Sequence, residues 1–461
     1  MISNGHFMKN TETRNFSRFL LPALALAASL ALTGCETLGL GGGGDDEEDT
    51  PTVGNRVPIL SRIATEIVAD PALANVAVVV PPAQSNASWP QAGGNAAKVS
   101  GHVTLSTTPT RAWTASIAGT TNTRRLAAAP VVADGMVVAV DTGATVHAFD
   151  AQSGAVRWRH RIAVESDLED ATFGGGASYD SGRVYATNGV GDVVALDAAT
   201  GAEIWRVKPG GPLRGAPTVA FNSVFVMTQD NQIFALSTDD GEIVWQKAAA
   251  SGQQGVFGVA APSAGQGTVL AGFSSGELVA YRYENGRELW SDALARTSIS
   301  TQVGTLTDVD ADPIIDQGRV YALGQGGRMA AYELLSGQRI WELTLAGIST
   351  PTIAGEWVFT LTDDARILAI QRNTGRIRWM TQLEQWRDAE DREGPIFWTG
   401  PVLASNRLWI ASSRGYVKSV DVMTGEVADF TRLNEGVSLP PVVANDTMYI
   451  LDDSGRITAW R

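Results

Sequence analysis

Asp308-Val309-Asp310-Ala311-Asp312 sets three carboxylates at alternate positions, the way an EF-hand calcium loop begins. Such a loop needs glycine at its sixth position for the sharp turn and a bidentate glutamate at its twelfth. Here those positions hold Pro313 and Arg319, so no EF-hand closes and no metal ligand is assigned. His6 falls in an N-terminal leader, and His102, His147 and His160 lack metal-ligand spacing, which gives them structural or surface roles. Neither a Gly-x-Ser-x-Gly elbow nor a glycine-rich phosphate loop occurs, and no catalytic residue is assigned. A single cysteine allows no internal disulfide and no cysteine-rich metal cluster. The formal net charge of −14 argues against a nucleic-acid partner, which would call for clustered Lys and Arg.

The cysteine has a place of its own. Lys9, Arg14 and Arg18 precede an apolar run from Phe19 to Leu32, too short to span a bilayer comfortably, and the run ends in Leu32-Thr33-Gly34-Cys35. This resembles a bacterial lipoprotein signal, in which residues 1–34 are removed and Cys35 is acylated as the new N-terminus. Several acyl chains on one residue anchor stably, at roughly 0.8 kcal/mol per buried CH₂. Glu36 follows, not the aspartate that retains enteric lipoproteins at the inner membrane, so the address expected is the periplasmic face of the outer membrane. Residues 35–56, with Gly41 to Gly44 and Asp45-Asp46-Glu47-Glu48-Asp49, form a flexible, self-repelling acidic tether. Residues 57–88 are an N-terminal extension without an assigned role.

From residue 89 to 461 the chain repeats itself. One unit reads Val131-Val132-Ala133, Val137-Val138-Ala139-Val140, Thr145-Val146-His147-Ala148-Phe149-Asp150 and Val156-Arg157-Trp158, four short strands separated by Asp-Gly, Thr-Gly and Ser-Gly turns. In six units a tryptophan follows the last turn glycine by four residues: Trp158, Trp205, Trp245, Trp290, Trp341 and Trp379. A seventh unit has Gly425 but Asp429 in place of the tryptophan, with Phe430 next to it. The glycines advance by about 45 residues, the period of a four-stranded propeller blade. The C-terminal segment supplies three strands and stops, while Thr110–Ile117 ahead of the first unit supplies a fourth. The expected fold is therefore an all-β, eight-bladed propeller closed by its two ends, with seven blades as the alternative. One tryptophan per blade at a fixed strand position reads as packing between neighbouring blades, not as a cofactor-stacking set.

This repeat resembles the PQQ-type propeller family, which contains quinone-dependent dehydrogenases and non-catalytic propellers. The enzymes typically carry adjacent cysteines beside the quinone, and this chain has none to offer, so no cofactor is expected. Connections from each outer strand to the next blade's inner strand share one face of a propeller, and two of them are enlarged, Ser291–Asp312 and Met380–Thr399. Long loops on a rigid scaffold tend to carry binding.

Together with the lipoprotein signal, the acidic tether and Asn86-Ala87-Ser88-Trp89-Pro90-Gln91 at the start of the propeller, the Leu306-Thr307-Asp308-Val309-Asp310 element resembles the BamB family, lipoprotein scaffolds of the β-barrel assembly machine. The resemblance implies that Asp308 and Asp310 dock on a periplasmic POTRA domain of the barrel-inserting subunit, alongside a loop one blade earlier with a Leu-x-Leu-Arg-Gly pattern. That loop aligns as Gln254-Gly255-Val256-Phe257-Gly258, with Phe257 at the arginine position. Gln254, Val256 and Phe257 would then give an apolar anchor beside an acidic rim. Asp308 and Asp310 would face solvent and pair with a partner's cations; the alternative is that they cap a turn. The implied function is a non-enzymatic scaffold that contacts the barrel-inserting subunit, other lipoproteins of the machine and unfolded outer-membrane proteins. A PQQ-dependent periplasmic dehydrogenase and a propeller binding cell-wall polysaccharide are the alternatives.

Overall fold

The computed structural model describes residues 67–461 apart from 169–170, 173, 250–258 and 295–307. Short Val- and Ile-rich runs separated by turns with positive φ build eight four-stranded antiparallel sheets. Blade 1 comprises Val131–Ala133, Met136–Val140, Thr145–Asp150 and Val156–Arg161. Blades 2 to 7 repeat the plan, each from its inner to its outer strand: Ala177–Asp180 to Glu203–Val207, Thr218–Ala220 to Ile243–Ala248, Ser263–Gly265 to Glu288–Ala293, Ile314–Asp316 to Arg339–Leu343, Thr352–Ala354 to Ile377–Gln382, and Trp398–Ala404 to Val427–Arg432. Blade 8 joins Val442–Ala444, Thr447–Leu451 and Arg456–Trp460 to Arg111–Ser116 from the other end of the chain. The ring thus has eight blades and closes on its termini as the strand count predicts, leaving no broken sheet at the seam.

Seven of the eight seams between blades are built the same way. The tryptophan of an outer strand lies opposite an alanine of the strand beside it, as in Ala148↔Trp158, Ala280↔Trp290 and Ala369↔Trp379. The small partner leaves room for the indole to lean toward the next blade. There the ring sits on that blade's turn glycine: a Cβ on Gly201 would lie 2.6 Å from Trp158, and one on Gly337 2.5 Å from Trp290. These glycines also have φ near +70°, so both backbone and space demand the residue. Each indole Nε1 donates to a carbonyl of the same neighbouring blade: Trp158 to Ala198, Trp205 to Thr238, Trp245 to Tyr283, Trp290 to Leu334, Trp341 to Arg372 and Trp379 to Val422, all within 2.7–3.1 Å. Trp113 of the closing strand makes the same contact with Gly154 and the Ala151 carbonyl.

Asp429 breaks the series for a reason visible in the ring. Its blade faces blade 8, where the turn between third and fourth strands is replaced by the two ends of the chain, joined by Arg461 N–H to Thr110 O at 2.9 Å. With no turn glycine to receive an indole, Phe430 fills the gap edge-on between Trp409 and Trp460, 5.1 Å from each.

Residues 67–105 form no blade. Asp70 and Val76 bind the outer strand of blade 6, through Asp70 N–H to Ile377 O at 2.8 Å and Arg378 Nε to Val76 O at 2.6 Å. The chain then passes along the free edges of the inner strands. Asn86 meets blade 8, Trp89 blade 1, Pro90 blade 2, Gln91 blade 3, Ala96 blade 4, Ala97 blade 5 and Val103 blade 7. Inner-strand amides and carbonyls that would otherwise face the axial channel are satisfied by this segment.

Candidate docking face

The loops that lead into the inner strands of blades 3, 4 and 5 are tied together by charge. Arg214, in the loop before Thr218–Ala220, is completely buried and donates from Nη2 to Asp308 Oδ1 at 2.7 Å, with Asp310 Oδ1 at 3.5 Å. Asp310 accepts from the Val259 and Ala260 amides at 2.6 and 3.2 Å, and Asp312 accepts from the Ala261 amide at 2.8 Å. The Asp312 amide donates to Thr350 Oγ1 at 3.0 Å, which brings in the loop before blade 6. From the channel segment, the buried Lys98 ammonium donates to Thr218 Oγ1 at 3.0 Å and lies 4.0 Å from Asp312. Gly215 lets two of these loops touch, since a Cβ there would lie 1.9 Å from the Val259 carbonyl oxygen.

Burial sets the electrostatics of this cluster. It raises the Asp308 and Asp312 carboxyls above their usual range, against the pull of Arg214 and Lys98 respectively, and it lowers the Lys98 ammonium, against the pull of Asp312. Among the described residues, Arg214 Nε and Nη1 and Asp308 Oδ2 are buried without a hydrogen-bond partner.

This arrangement corrects the expectation of two solvent-facing carboxylates. Asp308 is 1 % exposed and its cation comes from the chain itself; Asp310 is only partly exposed and spends one oxygen on backbone amides. Sequence reasoning missed Arg214, Gly215 and Lys98. The signal was Leu213-Arg214-Gly215, which lies two blades before Asp308, whereas the alignment placed the Leu-x-Leu-Arg-Gly position one blade before it. Gln254, Val256 and Phe257 lie outside the described residues, as does Cys35. Asp310 and Asp312 hold the amides of Val259 to Ala261, in the loop that leads into the inner strand of blade 4.

On the same face, the Met380–Thr399 connection folds into a hairpin of Trp386–Asp388 and Glu393–Pro395. The histidines stand apart from this cluster. His147 Nε2 meets Asp141 Oδ2 at 2.7 Å, His102 bridges Pro81 O and Asn406 N–H, and His160 lies 3.2 Å from Glu203. Among the described residues no group of His, Cys, Asp and Glu is placed to hold a metal ion.

Fold and seam chemistry together define a β-propeller of the PQQ-like class, with its axial wall covered by its own N-terminal segment. The family profile described as "Outer membrane protein assembly factor BamB" matches residues 96–169 and 143–381, and the chain belongs to that family. The chain is 25 % identical over 357 residues to the BamB of Yersinia pestis, spanning 76 % of this chain and 88 % of that protein. To the Escherichia coli BamB it is 27 % identical over 354 residues, with the same coverage of each. The BamB crystal structure from Moraxella catarrhalis superposes with a TM-score of 0.62 at 21 % identity, covering 77 % of this chain and 99 % of that one. A quinohemoprotein alcohol dehydrogenase from Comamonas testosteroni shares the fold with a TM-score of 0.66 at 14 % identity, covering 82 % and 81 %.

Proposed function

We propose that this chain is a non-enzymatic scaffold lipoprotein of the β-barrel assembly machinery, held through Cys35 at the periplasmic face of the outer membrane. Its loop face over blades 3 to 5 docks on POTRA domains of the barrel-inserting subunit, with other lipoproteins of the machine and unfolded outer-membrane proteins as further contacts. One observation carries the reading: Arg214, Asp308, Asp310 and Asp312 lock successive loops of one face into a single platform. Rigid presentation lowers the ordering cost of association. Asp308 and Asp310 serve this docking from within, by fixing the loop stems, and Val256 and Phe257 supply the apolar contact. The channel segment 86–105 favours a scaffold over a quinone enzyme, because it lies along the axial wall.

Affinity purification from solubilised envelopes tests this directly. The wild-type protein should bring down a POTRA-containing subunit, and Asp310→Lys and Phe257→Ser should each reduce the yield. Recovery of no POTRA protein with the wild type would sink the reading. Fractionation of a Cys35→Ser variant tests the anchor, the expected result being release from the membrane pellet into the soluble periplasm.

A further inference from the structure

Among the described residues, two large apolar side chains stand exposed on the loops of the face that carries the Arg214 cluster: Ile348 at 43 % and Phe397 at 59 %. The exposure of Phe397 does not result from a loose loop. Phe397 is pinned at both backbone groups, its amide donating to Ser413 Oγ at 3.0 Å and its carbonyl accepting from the Ser413 amide at 2.8 Å. Its neighbours Ile396 and Trp398 point inward and are buried, Trp398 donating from Nε1 to Glu384 O at 2.8 Å. The alternation in, out, in therefore fixes the phenyl ring outward. Ile348 and Phe397 wall a shallow recess floored by Leu361, Ala365 and Trp398, with Asp363 at its rim.

Asp363 is the second unexplained group. Nearby carboxylates have cations of their own: Asp364 with Arg366, Glu384 with Lys418, Asp310 with Arg214. The Asp363 amide is held by Ala346 O at 3.0 Å, but its carboxylate has no ion pair or hydrogen bond among the described residues. Crowding by the surrounding loops, then the charges of Asp364 and Asp310, push this carboxyl up to about 6, although the residue itself stays open to solvent. A carboxylate set among like charges without a counter-ion is stabilised by a cation brought from outside. A rigid aromatic anchor beside it supplies the apolar half of a recognition site.

We propose that the recess walled by Ile348 and Phe397, with Asp363 at its rim, is a docking surface for an extended polypeptide segment in which an apolar side chain is flanked by lysine or arginine. The apolar side chain packs over the shallow recess against Ile348 and Phe397, and the cation meets Asp363. The inference rests on this recess alone and holds whatever protein docks on the loops of blades 3 to 5.

The test is fluorescence anisotropy of the purified full-length protein with a labelled synthetic peptide of alternating Phe and Lys. A second peptide, with Glu in place of Lys, is the control. Saturable binding of the Lys peptide is expected, weakened about tenfold or more by Phe397→Ser and by Asp363→Asn. Phe221→Ser, at an exposed phenylalanine in the turn after the inner strand of blade 3 on the opposite face, should leave it unchanged. Because Phe397 is exposed, its replacement should preserve the fold, which near-ultraviolet circular dichroism checks; Ile348→Ser is the second variant. Absence of saturable binding, equal affinity for the Glu peptide, or indifference to both Phe397→Ser and Asp363→Asn would overturn the proposal. So would a concentration-dependent dimer dispersed by Phe397→Ser, since the occupant would then be a second copy of the chain.

Discussion

Arg214 and Asp308 are 94 positions apart in the chain and two blades apart in the ring, yet their side chains meet at 2.7 Å in a site neither shares with solvent. Breaking a buried pair by removing one partner strands the other charge and typically costs about 3–5 kcal/mol, while an apolar pair of similar volume can be close to neutral. Arg214→Met and Asp308→Leu should each lower stability by amounts in that range, and the double variant should lose much less than their sum. Urea unfolding of the four proteins measures the coupling, and strict additivity would show that the pair does not hold the loops.

Gly215 probes the same platform without touching a charge. Its would-be Cβ meets backbone, the Val259 carbonyl oxygen, and backbone cannot swing aside as a side-chain end would. Gly215→Ala should therefore push the loops of blades 3 and 4 apart and speed hydrogen exchange at the Val259, Ala260 and Ala261 amides by tenfold or more. Gly211→Ala, where a Cβ would meet no neighbour, is the matched control and should leave those amides unchanged.

The seams predict a paired result. Trp290→Ala removes a buried indole and its bond to Leu334 O, a loss of about 3–5 kcal/mol. Gly337→Ala leaves the indole in place but drives a methyl group into it and forces alanine to φ +70°. Both should destabilise the ring in calorimetry, and the double variant should be less impaired than the sum, because without the indole the added methyl group has space.

The ring was legible in the sequence because its construction is local and repeated. Gly-x-x-x-Trp recurs in six of the eight blades, and the contact its tryptophan makes is to the next blade, so spacing carried the fold and marked the exception at Asp429, while the strand count carried the closure. The platform was not legible to the same degree. Asp308 looked like a surface acid because nothing within its own blade reveals Arg214, and no periodicity links positions 214 and 308. The path of residues 86–105 along the channel wall was hidden for a similar reason: Trp89 and Gln91 read as the start of the propeller, and their partners Val132 and Val219 lie in different repeats.

Acid sensitivity should trace to the turn between the second and third strands of blade 1. Burial alone would raise the Asp141 carboxyl, but hydrogen bonds from His147 and from the Thr145 and Gly143 amides outweigh it and hold it below its usual value of 3.8. A carboxyl whose folded pKa lies below its unfolded one adds stability that is fully present above the unfolded value and is lost as pH falls through the folded value. Asp141→Asn forfeits that contribution at neutral pH and has nothing left to forfeit in acid. The stability gap between wild type and Asp141→Asn should therefore narrow as pH falls below about 4. Thermal melts across that range check the sign: a gap that widens as pH falls below 4 would mean that the carboxyl is raised by folding, not lowered.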